Sequence, residues 1–399
     1  MSKRKLSKIL IVNCVFTPEP VVSAQIGNSL AEKLSSMKNE VTVIAPRPSR
    51  PLGFKFDQQI YQKKAFRLIY LRSFTYPKSG IIGRLLESIS FGIATYNYII
   101  SNAKEIDFVY MNTWPIFAQI AITIACKRVK KSYSVHMQDI YPESVSSKLP
   151  IFIARFLFFL LMPIDKFVLK NADKIIVISD KMKEDLMKSR KLNGNKFEVV
   201  LNWHNELQFK PFQKYWPKSP LTFMYLGNIG PVAGLPFVIQ AFAKAALNDA
   251  QLIIAGSGSS KNSCMRMAEN YPEYSISFIE VPDGEVPALQ SKAHVMLLPL
   301  KSKTGNTSIP SKLPAYMFSA RPIIALADYG TDVQKIISKS DCGWVGNSED
   351  ELWLINCFKQ VNTLDHSVLI NKGKLARKYA TTYYSKEVNL DKLVKAILD

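Results

Sequence analysis

The sequence has few cysteines and histidines, and their placement argues against the sites that such residues usually build. Its five cysteines are scattered, form no Cys-x-x-Cys pair and mostly lie in or beside apolar runs. We interpret them as reduced, mostly buried thiols of a protein from a reducing compartment. The four histidines are also spread along the chain, so the sequence predicts neither a metal site nor a bound cofactor.

Membrane-crossing and export segments are not evident either. A short β-branched run, Ile9–Phe16, leads into a proline-containing turn instead of a small-residue cleavage site, which is not the pattern of a signal peptide. The most apolar stretch, Ile151–Ile164, is shorter than the ~18–20 residues that a membrane-spanning helix needs, and Arg155 interrupts it. The sequence therefore predicts a cytoplasmic protein.

Acidic residues are in the minority, since 32 Asp and Glu face 52 Lys and Arg and the formal net charge is +20. A field of that sign attracts nucleic acids, anionic lipids and phosphorylated small molecules. The charge is spread along the whole chain, without zinc-finger spacing or an aromatic RNA-binding signature, so nucleic acid is the weaker interpretation. We favour a phosphorylated small molecule and an anionic membrane surface as partners.

No tandem repeat is present, but short β-branched runs alternate with helical patterns through 399 residues, a length that suits two domains. Such alternation is typical of parallel sheets covered by helices on both faces. The irregular segment Asn202–Pro220 marks the best boundary. We predict an α/β protein with a Rossmann-like domain at 1–203, a linker at 204–219, a second Rossmann-like domain at 220–375 and C-terminal helices at 376–399 that pack back on the first.

The predicted strands are Lys8–Phe16, Glu40–Ala45, Phe66–Phe74, Ile106–Asn112, Ser132–Gln138, Lys174–Ser179, Phe197–Leu201, Leu221–Leu226, Ala250–Ala255, Ser275–Glu280, Val295–Pro299, Pro322–Leu326 and Gly343–Val345. Helices separate most of them, and Ser179 is predicted to cap the helix that follows it.

Three loops of the second half are candidates for binding phosphate: the first contains Gly227 and Gly230, the second contains Gly256, and the third runs from Gly305 to Lys312. Each joins a strand to a helix through small residues. In the third loop Ser311 is predicted to cap a helix whose N-terminus Lys312 supplements with a full charge. An ordinary turn or a capped surface helix would explain the same residues. The candidate residues are Gly227, Asn228, Gly230, Gly256, Gly305, Asn306, Thr307, Ser308, Ser311 and Lys312.

In the first half, polar residues cluster where the strand Ser132–Gln138 ends. Ligands of open α/β sheets bind at the carboxyl ends of strands, so Asp139, aided by Gln138 or His136, is a candidate for orienting a hydroxyl group. Glu143 is expected to support this loop. Alternatively, His136 is a satisfied core residue, and Asp139 and Glu143 only cap the next segment.

The apolar helix predicted at 149–169 has basic residues within it and at its ends: Lys148, Arg155, Lys166 and Lys170. A helix of this kind can lie in a membrane interface with its lysines at anionic head groups. Burial between domains explains the same sequence equally well, and the sequence leaves both interpretations open.

Taken in order, these segments resemble the retaining glycosyltransferases of family 4, which have the GT-B fold, and in particular a bacterial branch that builds surface polysaccharides (the fucosaminyltransferase-like and colanic-acid-type enzymes). The resemblance covers nearly the whole chain. It is carried mainly by Gln138–Ser144, by Asn171–Ser179, by the glycine loop at 227–235, by Pro310–Leu313 and by Arg321–Ala325.

The resemblance implies two Rossmann-like domains facing each other across a cleft, with a nucleotide diphosphate sugar, UDP-linked by preference, on the second. A lipid-linked saccharide would bind the first domain, at the inner face of the plasma membrane, and transfer would proceed with retention and without metal. Many members carry Arg and Lys where this chain has Asn228 and Ala233, and two Glu where it has Thr307 and Ala315. These departures make Lys312 the compensating charge, and they keep two alternatives open: an inactive GT-B-fold scaffold subunit and a sugar-nucleotide epimerase.

Overall fold

The computed structural model of the protein describes residues 7–19, 21–50, 64–76, 81–112, 116–143, 150–212, 214–282, 284–300 and 309–398. The chain divides into two compact units, one formed by residues 1–200 with 390–399 and the other by residues 201–389. Each unit is a parallel sheet with helices, so the predicted pair of Rossmann-like domains is confirmed.

The first unit contains a seven-stranded parallel sheet in the order β3-β2-β1-β4-β5-β6-β7. Its strands are β1 (Lys8–Asn13), β2 (Glu40–Pro46), β3 (Arg67–Leu71), β4 (Phe108–Asn112), β5 (Ser132–Met137), β6 (Lys174–Val177) and β7 (Phe197–Val199). Its helices are α1 (Val22–Ser36), α2 (Ile81–Ser101), α3 (Ile116–Val129), α4 (Ile151–Asn171) and α5 (Asp180–Arg190).

Central strands of this sheet are buried on both faces, which explains their near-continuous apolar sequences. In β1 the residues from Ile9 to Asn13 are all buried, and alternate ones, Leu10 and Val12, join a core that includes residues of α2, α3 and α4. Within this helix layer α3 packs against both α2 and α4. Gly92 lets α2 approach α3 closely, because a Cβ atom there would lie 2.9 Å from Ala118 Cα.

The second unit contains a six-stranded parallel sheet in the order β10-β9-β8-β11-β12-β13. Its strands are β8 (Leu221–Leu226), β9 (Ala250–Ala255), β10 (Ser275–Ile279), β11 (Val295–Pro299), β12 (Ile323–Leu326) and β13 (Gly343–Gly346). The helices that follow are α6 (Leu235–Ala245), α7 (Lys261–Ala268), α8 (Val286–Ser291), α9 (Lys312–Phe318), α10 (Asp332–Ser340), α11 (Glu351–Asn362), α12 (His366–Tyr383) and α13 (Lys386–Leu398).

All the predicted strands are present, with ends that differ by a few residues. The predicted cap of α5 is confirmed, since Ser179 has extended backbone angles and its Oγ accepts a hydrogen bond of 3.0 Å from the Met182 N–H.

Residues 204–219, predicted as a linker, lie in the second unit, and Phe209 belongs to one of its cores. Buried Arg321 contacts this segment twice. Its Nη2 donates to the Tyr215 carbonyl at 2.7 Å, and its guanidinium lies over the Trp216 ring. The last helix, α13, begins in the second unit, and from Leu390 onward it belongs to the first. There Asp391 makes an ion pair of 2.8 Å with Lys33 of α1.

All five cysteines are buried free thiols. In the described part of the chain, no helix combines the length and the apolar character needed to cross a membrane.

Candidate functional site

The strand order of the first unit creates a crevice where its two halves diverge. The chain leaves β1 toward one side of the sheet and β4 toward the other, and ligands of open α/β sheets bind outside the carboxyl ends of such strands. Asn13 and Asn112 end these two strands in register, and both amides reach the Ser23 carbonyl at the start of α1, at 3.2 and 3.4 Å. Two amides and a helix N-terminus therefore meet at this point.

A pocket of about 210 Å³ lies at this carboxyl edge, and its lining includes three of the four first-half candidates. Its lining residues are Val22, Ser23, Asn112, Gln119, His136, Met137, Gln138, Asp139 and Tyr141. Among the candidates, His136 is buried, Gln138 is half-buried and Asp139 is exposed. The structure thus brings together a carboxylate and an amide that can approach a ligand.

His136 is satisfied within the protein. Its Nδ1 lies 2.6 Å from Tyr110 Oη, and its Nε2 lies 3.1 Å from the Gln138 amide nitrogen. Burial lowers the pKa of His136 to about 3, so the ring is neutral and has one donor and one acceptor nitrogen. Since the Gln138 amide donates to Nε2, Nδ1–H donates to Tyr110. This geometry supports the interpretation of His136 as a core residue that positions Gln138.

The fourth first-half candidate, Glu143, is held by a buried arginine that the sequence did not single out. Arg190 of α5 donates to Glu143 Oε1 at 2.5 Å and to Oε2 at 2.9 Å, and it also bonds the Tyr141 carbonyl. The Nε of Arg190 donates to Asp165 of α4 at 2.8 Å, and the side chains of Arg190 and Asp165 are both inaccessible to solvent. Glu143 is therefore a support of the loop that carries Asp139, and both of its oxygens are occupied.

Asp165 lies on the apolar helix α4 and Arg190 on the largely polar helix α5, and no sequence pattern pairs these two residues. Burial raises the pKa of Asp165 to about 6, against the opposing effect of the Arg190 charge. The only available signal was the presence of charged residues at core-facing positions of two helical patterns.

In the second unit, Lys312 lies directly over Gly227, the glycine that follows β8. A Cβ atom on Gly227 would lie 2.0 Å from Lys312 Cε and 3.1 Å from its Nζ, and Gly227 has φ +153°. The ammonium group also lies 5.4 Å from the centre of the Tyr225 ring. Burial lowers the pKa of Lys312. Two candidate donor-binding residues, distant in sequence, are therefore in contact, and the missing side chain of Gly227 makes room for the lysine.

Close packing also accounts for the neighbouring glycines, against backbone at Gly256 and against a side chain at Gly230. A Cβ atom on Gly256 would lie 2.0 Å from the Gly227 carbonyl oxygen, and one on Gly230 would lie 2.9 Å from the Asn228 amide nitrogen. The Ile229 N–H donates to the Ser257 carbonyl at 2.8 Å, so the two glycine loops are joined. Asn228 is exposed beside this junction.

The start of α9 differs from the prediction. Ser311 has helical backbone angles, φ −58° and ψ −21°, and its side chain makes no capping hydrogen bond, so the predicted cap is wrong. An N-cap needs an extended backbone to turn its oxygen toward the helix N–H groups. The Ser311 carbonyl instead lies 2.9 Å from His204 Nε2. The candidates Gly305, Asn306, Thr307 and Ser308 lie outside the described residues.

A larger cavity, about 400 Å³, lies at the carboxyl ends of β11, β12 and β13. Gly234 at the N-terminus of α6, Phe237 and Pro299 supply part of its wall, and Ser348 and Glu349 add polar groups. In both units, then, a cavity opens at the sheet edge where ligands of this architecture bind. Within the described ranges, no group of three or more His, Cys, Asp and Glu side chains is placed to hold a metal ion.

Both halves of the sequence match known families. Residues 28–205 match the family described as Glycosyltransferase Family 4, and residues 220–361 match the one described as Glycosyl transferases group 1. Among curated proteins, the chain is similar to the probable glycosyltransferase WbjE of Pseudomonas aeruginosa. The two are 22% identical over 337 residues, which are 81% of this chain and 83% of WbjE.

Solved structures share the fold. HepE of Anabaena, in complex with UDP, superposes with a TM-score of 0.66 at 12% identity, over 97% of this chain and 98% of HepE. WaaG, a glycosyltransferase involved in lipopolysaccharide biosynthesis, superposes with a TM-score of 0.64 at 15% identity, over 98% of this chain and 99% of WaaG. At such identities the superpositions establish the arrangement of strands and helices.

Proposed function

We propose that this chain is a family 4 glycosyltransferase that moves a sugar from a nucleotide diphosphate donor, preferably a UDP-sugar, to a lipid-linked saccharide. The matches of its two halves to glycosyltransferase families and its similarity to WbjE support this proposal. The transfer would retain the anomeric configuration and serve the assembly of a cell-surface polysaccharide such as O-antigen, capsule or exopolysaccharide. The UDP bound to HepE supports the donor class, and the similarity to WaaG supports the setting.

The proposal is carried by one observation, the position of the Lys312 ammonium over the strand-end Gly227. A cation at the carboxyl edge of a parallel sheet suits the diphosphate of a donor. When the bond between sugar and diphosphate breaks, negative charge grows on the leaving oxygen. A positioned cation in a partly dry site stabilises that charge more than it stabilises the neutral parts of the donor. We assign Lys312 this role, with the backbone around Gly227 and Gly230 as the second contact.

In the first unit, we propose that the pocket beside Asn112 takes the acceptor hydroxyl group. The Asp139 carboxylate can accept a hydrogen bond from that hydroxyl, and Gln138, oriented by His136, can donate one to a neighbouring oxygen. Arg190 holds the loop in place through Glu143 and the Tyr141 carbonyl. The expected chemistry is therefore acceptor orientation by a carboxylate and an amide.

Replacement of Lys312 tests the donor site. Lys312→Met keeps the length of the apolar stem and removes the charge, so it should weaken UDP binding by about 1–3 kcal/mol, roughly 5- to 150-fold in Kd, the range of a charge-assisted hydrogen bond. Isothermal titration with UDP measures the change. Lys244→Met is the matched control, because Lys244 is a surface lysine of the same unit paired with Glu351. Equal UDP affinity in wild type and Lys312→Met would remove the assignment.

Titration and activity assays of the wild-type protein distinguish the transferase from the two alternative functions. The departures at Asn228 and Ala233 favour a scaffold subunit, which would bind neither UDP nor GDP in the titration. An epimerase would convert one nucleotide-sugar into another without any acceptor, whereas a transferase releases the nucleoside diphosphate. A screen of nucleotide-sugars for thermal stabilisation identifies the donor, because a ligand that binds only the folded state raises its apparent stability.

A further inference from the structure

The first half of α4 exposes an unusual amount of apolar surface. From Ile151 to Leu160 the helix contains one polar side chain, Arg155, and eight of these ten residues are exposed while the other two are half-buried. Phe152 is 82% exposed and Phe159 is 81% exposed. A helix on the surface of a water-soluble domain normally turns polar residues outward. This segment instead has phenylalanine where charge is expected.

The exposed apolar residues of α4 continue along one side of the helix. Phe152, Phe156, Phe159, Pro163 and Phe167 follow one another at intervals of three or four residues, and all five are exposed. The opposite side carries the buried residues of the helix, among them Asp165. The outward side of α4 is therefore an apolar stripe about four turns long.

A second stripe lies on α2, in the same helix layer. Its exposed apolar side chains are Ile82, Leu85, Leu86, Ile89 and Ile93, which again recur at helical spacing. Helix α3 packs against both α2 and α4, and its Ile124 is also exposed, at 45%. The outward sides of α2, α3 and α4 thus form one surface, which we call the apolar helix face. Such an extensive exposed apolar surface marks an interaction site.

The apolar helix face begins at the edge of the sheet that carries the pocket. In a parallel sheet each connecting helix runs back against the strands, so it starts at the carboxyl edge. The N-terminal halves of α2 and α4, where most of the exposed apolar side chains lie, are therefore on the same edge as the pocket beside Asn112 and Asp139.

Charge on and beside the face identifies the partner. Exposed cations are Arg155 beside the stripe of α4, Lys166 and Lys170 at the C-terminal end of α4, and Lys127 and Arg128 at the end of α3. The exposed residues of α4 include no Asp or Glu. Apolar side chains bordered by cations match the interface of an anionic bilayer, where phenylalanine and isoleucine enter the acyl region while Lys and Arg reach phosphate groups.

We infer that the apolar helix face inserts into the surface of an anionic lipid bilayer, so that α2 and α4 lie in the interface without crossing the bilayer. The pocket beside Asp139 would then open near the lipid head groups. The functional meaning of a pocket near the head groups rests on the proposed function, in which a lipid-linked saccharide must reach this pocket. The insertion itself depends only on the exposed side chains and the charges.

Vesicle binding tests the inference. The full chain is incubated with phosphatidylcholine vesicles with or without phosphatidylglycerol, and the bound fraction is measured by flotation. We expect binding that is stronger with phosphatidylglycerol. The variant Phe152→Ser/Phe156→Ser/Phe159→Ser, which changes exposed positions only, should lower the partition coefficient at least tenfold on both vesicles. Lys166→Gln/Lys170→Gln should reduce the preference for phosphatidylglycerol and leave binding to phosphatidylcholine unchanged.

The matched control is Leu207→Ser/Tyr329→Ser/Leu352→Ser, which removes three exposed apolar side chains of the second unit, at 67%, 91% and 67% exposure. This control should bind vesicles as the wild type does. Wild-type levels of binding by the triple phenylalanine variant, or no binding by the wild type, would overturn the inference. A wild-type dimer that the triple variant converts to a monomer, measured by light scattering, would also overturn it in favour of an interface between two copies.

The test does not depend on donor chemistry. Vesicle binding is measured without nucleotide, and UDP titration of the triple variant should give the wild-type Kd, since the changed residues lie in the first unit. Loss of vesicle binding with intact UDP binding supports the inference. Intact vesicle binding in a protein that binds no UDP would contradict the proposed function alone.

Discussion

Removal of the Arg190 side chain should destabilise the first unit strongly. Its guanidinium is inaccessible to solvent and bonds Asp165, Glu143 and the Tyr141 carbonyl. In Arg190→Met, Asp165 loses its counter-charge in a site with no solvent access, while its second oxygen, Oδ1, already makes no hydrogen bond. Loss of one partner of a buried pair costs about 3–5 kcal/mol, because the remaining charge is uncompensated.

A double-mutant cycle shows whether the unpaired carboxylate causes the loss. Asp165→Leu removes the charge, so the double variant Arg190→Met/Asp165→Leu should be more stable than Arg190→Met by about 1–3 kcal/mol. The penalty in Arg190→Met should also be smaller at pH 5 than at pH 8. Without the arginine, burial holds the pKa of Asp165 above its usual range, and protonation removes the unfavourable charge.

Urea denaturation followed by circular dichroism measures these free energies of unfolding. Lys181→Met is the matched control, because Lys181 makes an ion pair of 2.6 Å with Asp185 on the surface of the same helix. It should cost no more than about 0.5 kcal/mol. The reasoning fails if Arg190→Met costs as little as this control, or if the double variant is no more stable than Arg190→Met.

Two further predictions concern His136 and Gly227. Burial lowers the pKa of His136 from 6.5, its ordinary value in an unfolded chain, to about 3 in the folded protein. Below pH 6.5 the unfolded chain therefore binds a proton that the folded protein does not bind, so the free energy of unfolding decreases as the pH falls toward 3. Between pH 7 and pH 5 that loss should be about 2 kcal/mol. In urea denaturation, the free energy of unfolding of His136→Gln should not show this decrease between pH 7 and pH 5. The same pH dependence in His136→Gln and the wild type would contradict the prediction. Gly227→Ala should displace the Lys312 side chain and strain the backbone at φ +153°, so UDP titration should show weaker binding, as in Lys312→Met. Unchanged affinity would show that the lysine is not held there.

The failures of sequence reasoning have specific physical causes. Ser311 was expected to cap α9 because serine before a helical run usually does so, yet its backbone is already helical and cannot present the side chain. The sequence allows His136 either a ligand-binding role or a core role, and the Tyr110 hydroxyl that occupies Nδ1 comes from a neighbouring strand. Both outcomes depended on contacts or backbone angles that residue type alone does not specify.

The amino-acid sequence by itself determined the elements and the fold class. Buried parallel strands need continuous apolar runs, and helices need apolar residues at three- and four-residue spacing, so both appear as local patterns. The resemblance of segments such as Gln138–Ser144 and Pro310–Leu313 to family 4 was equally readable.

Tertiary structure alone decided which distant residues meet. The pairing of Arg190 with Asp165 and Glu143, and the position of Lys312 over Gly227, follow from the order of strands in each sheet. It also decided that the first half of α4 is exposed, where the sequence allowed either burial or a surface position. The physical reason is that hydrophobic patterns are local, whereas charge pairing, close approach and exposure depend on which surfaces the folded chain brings together.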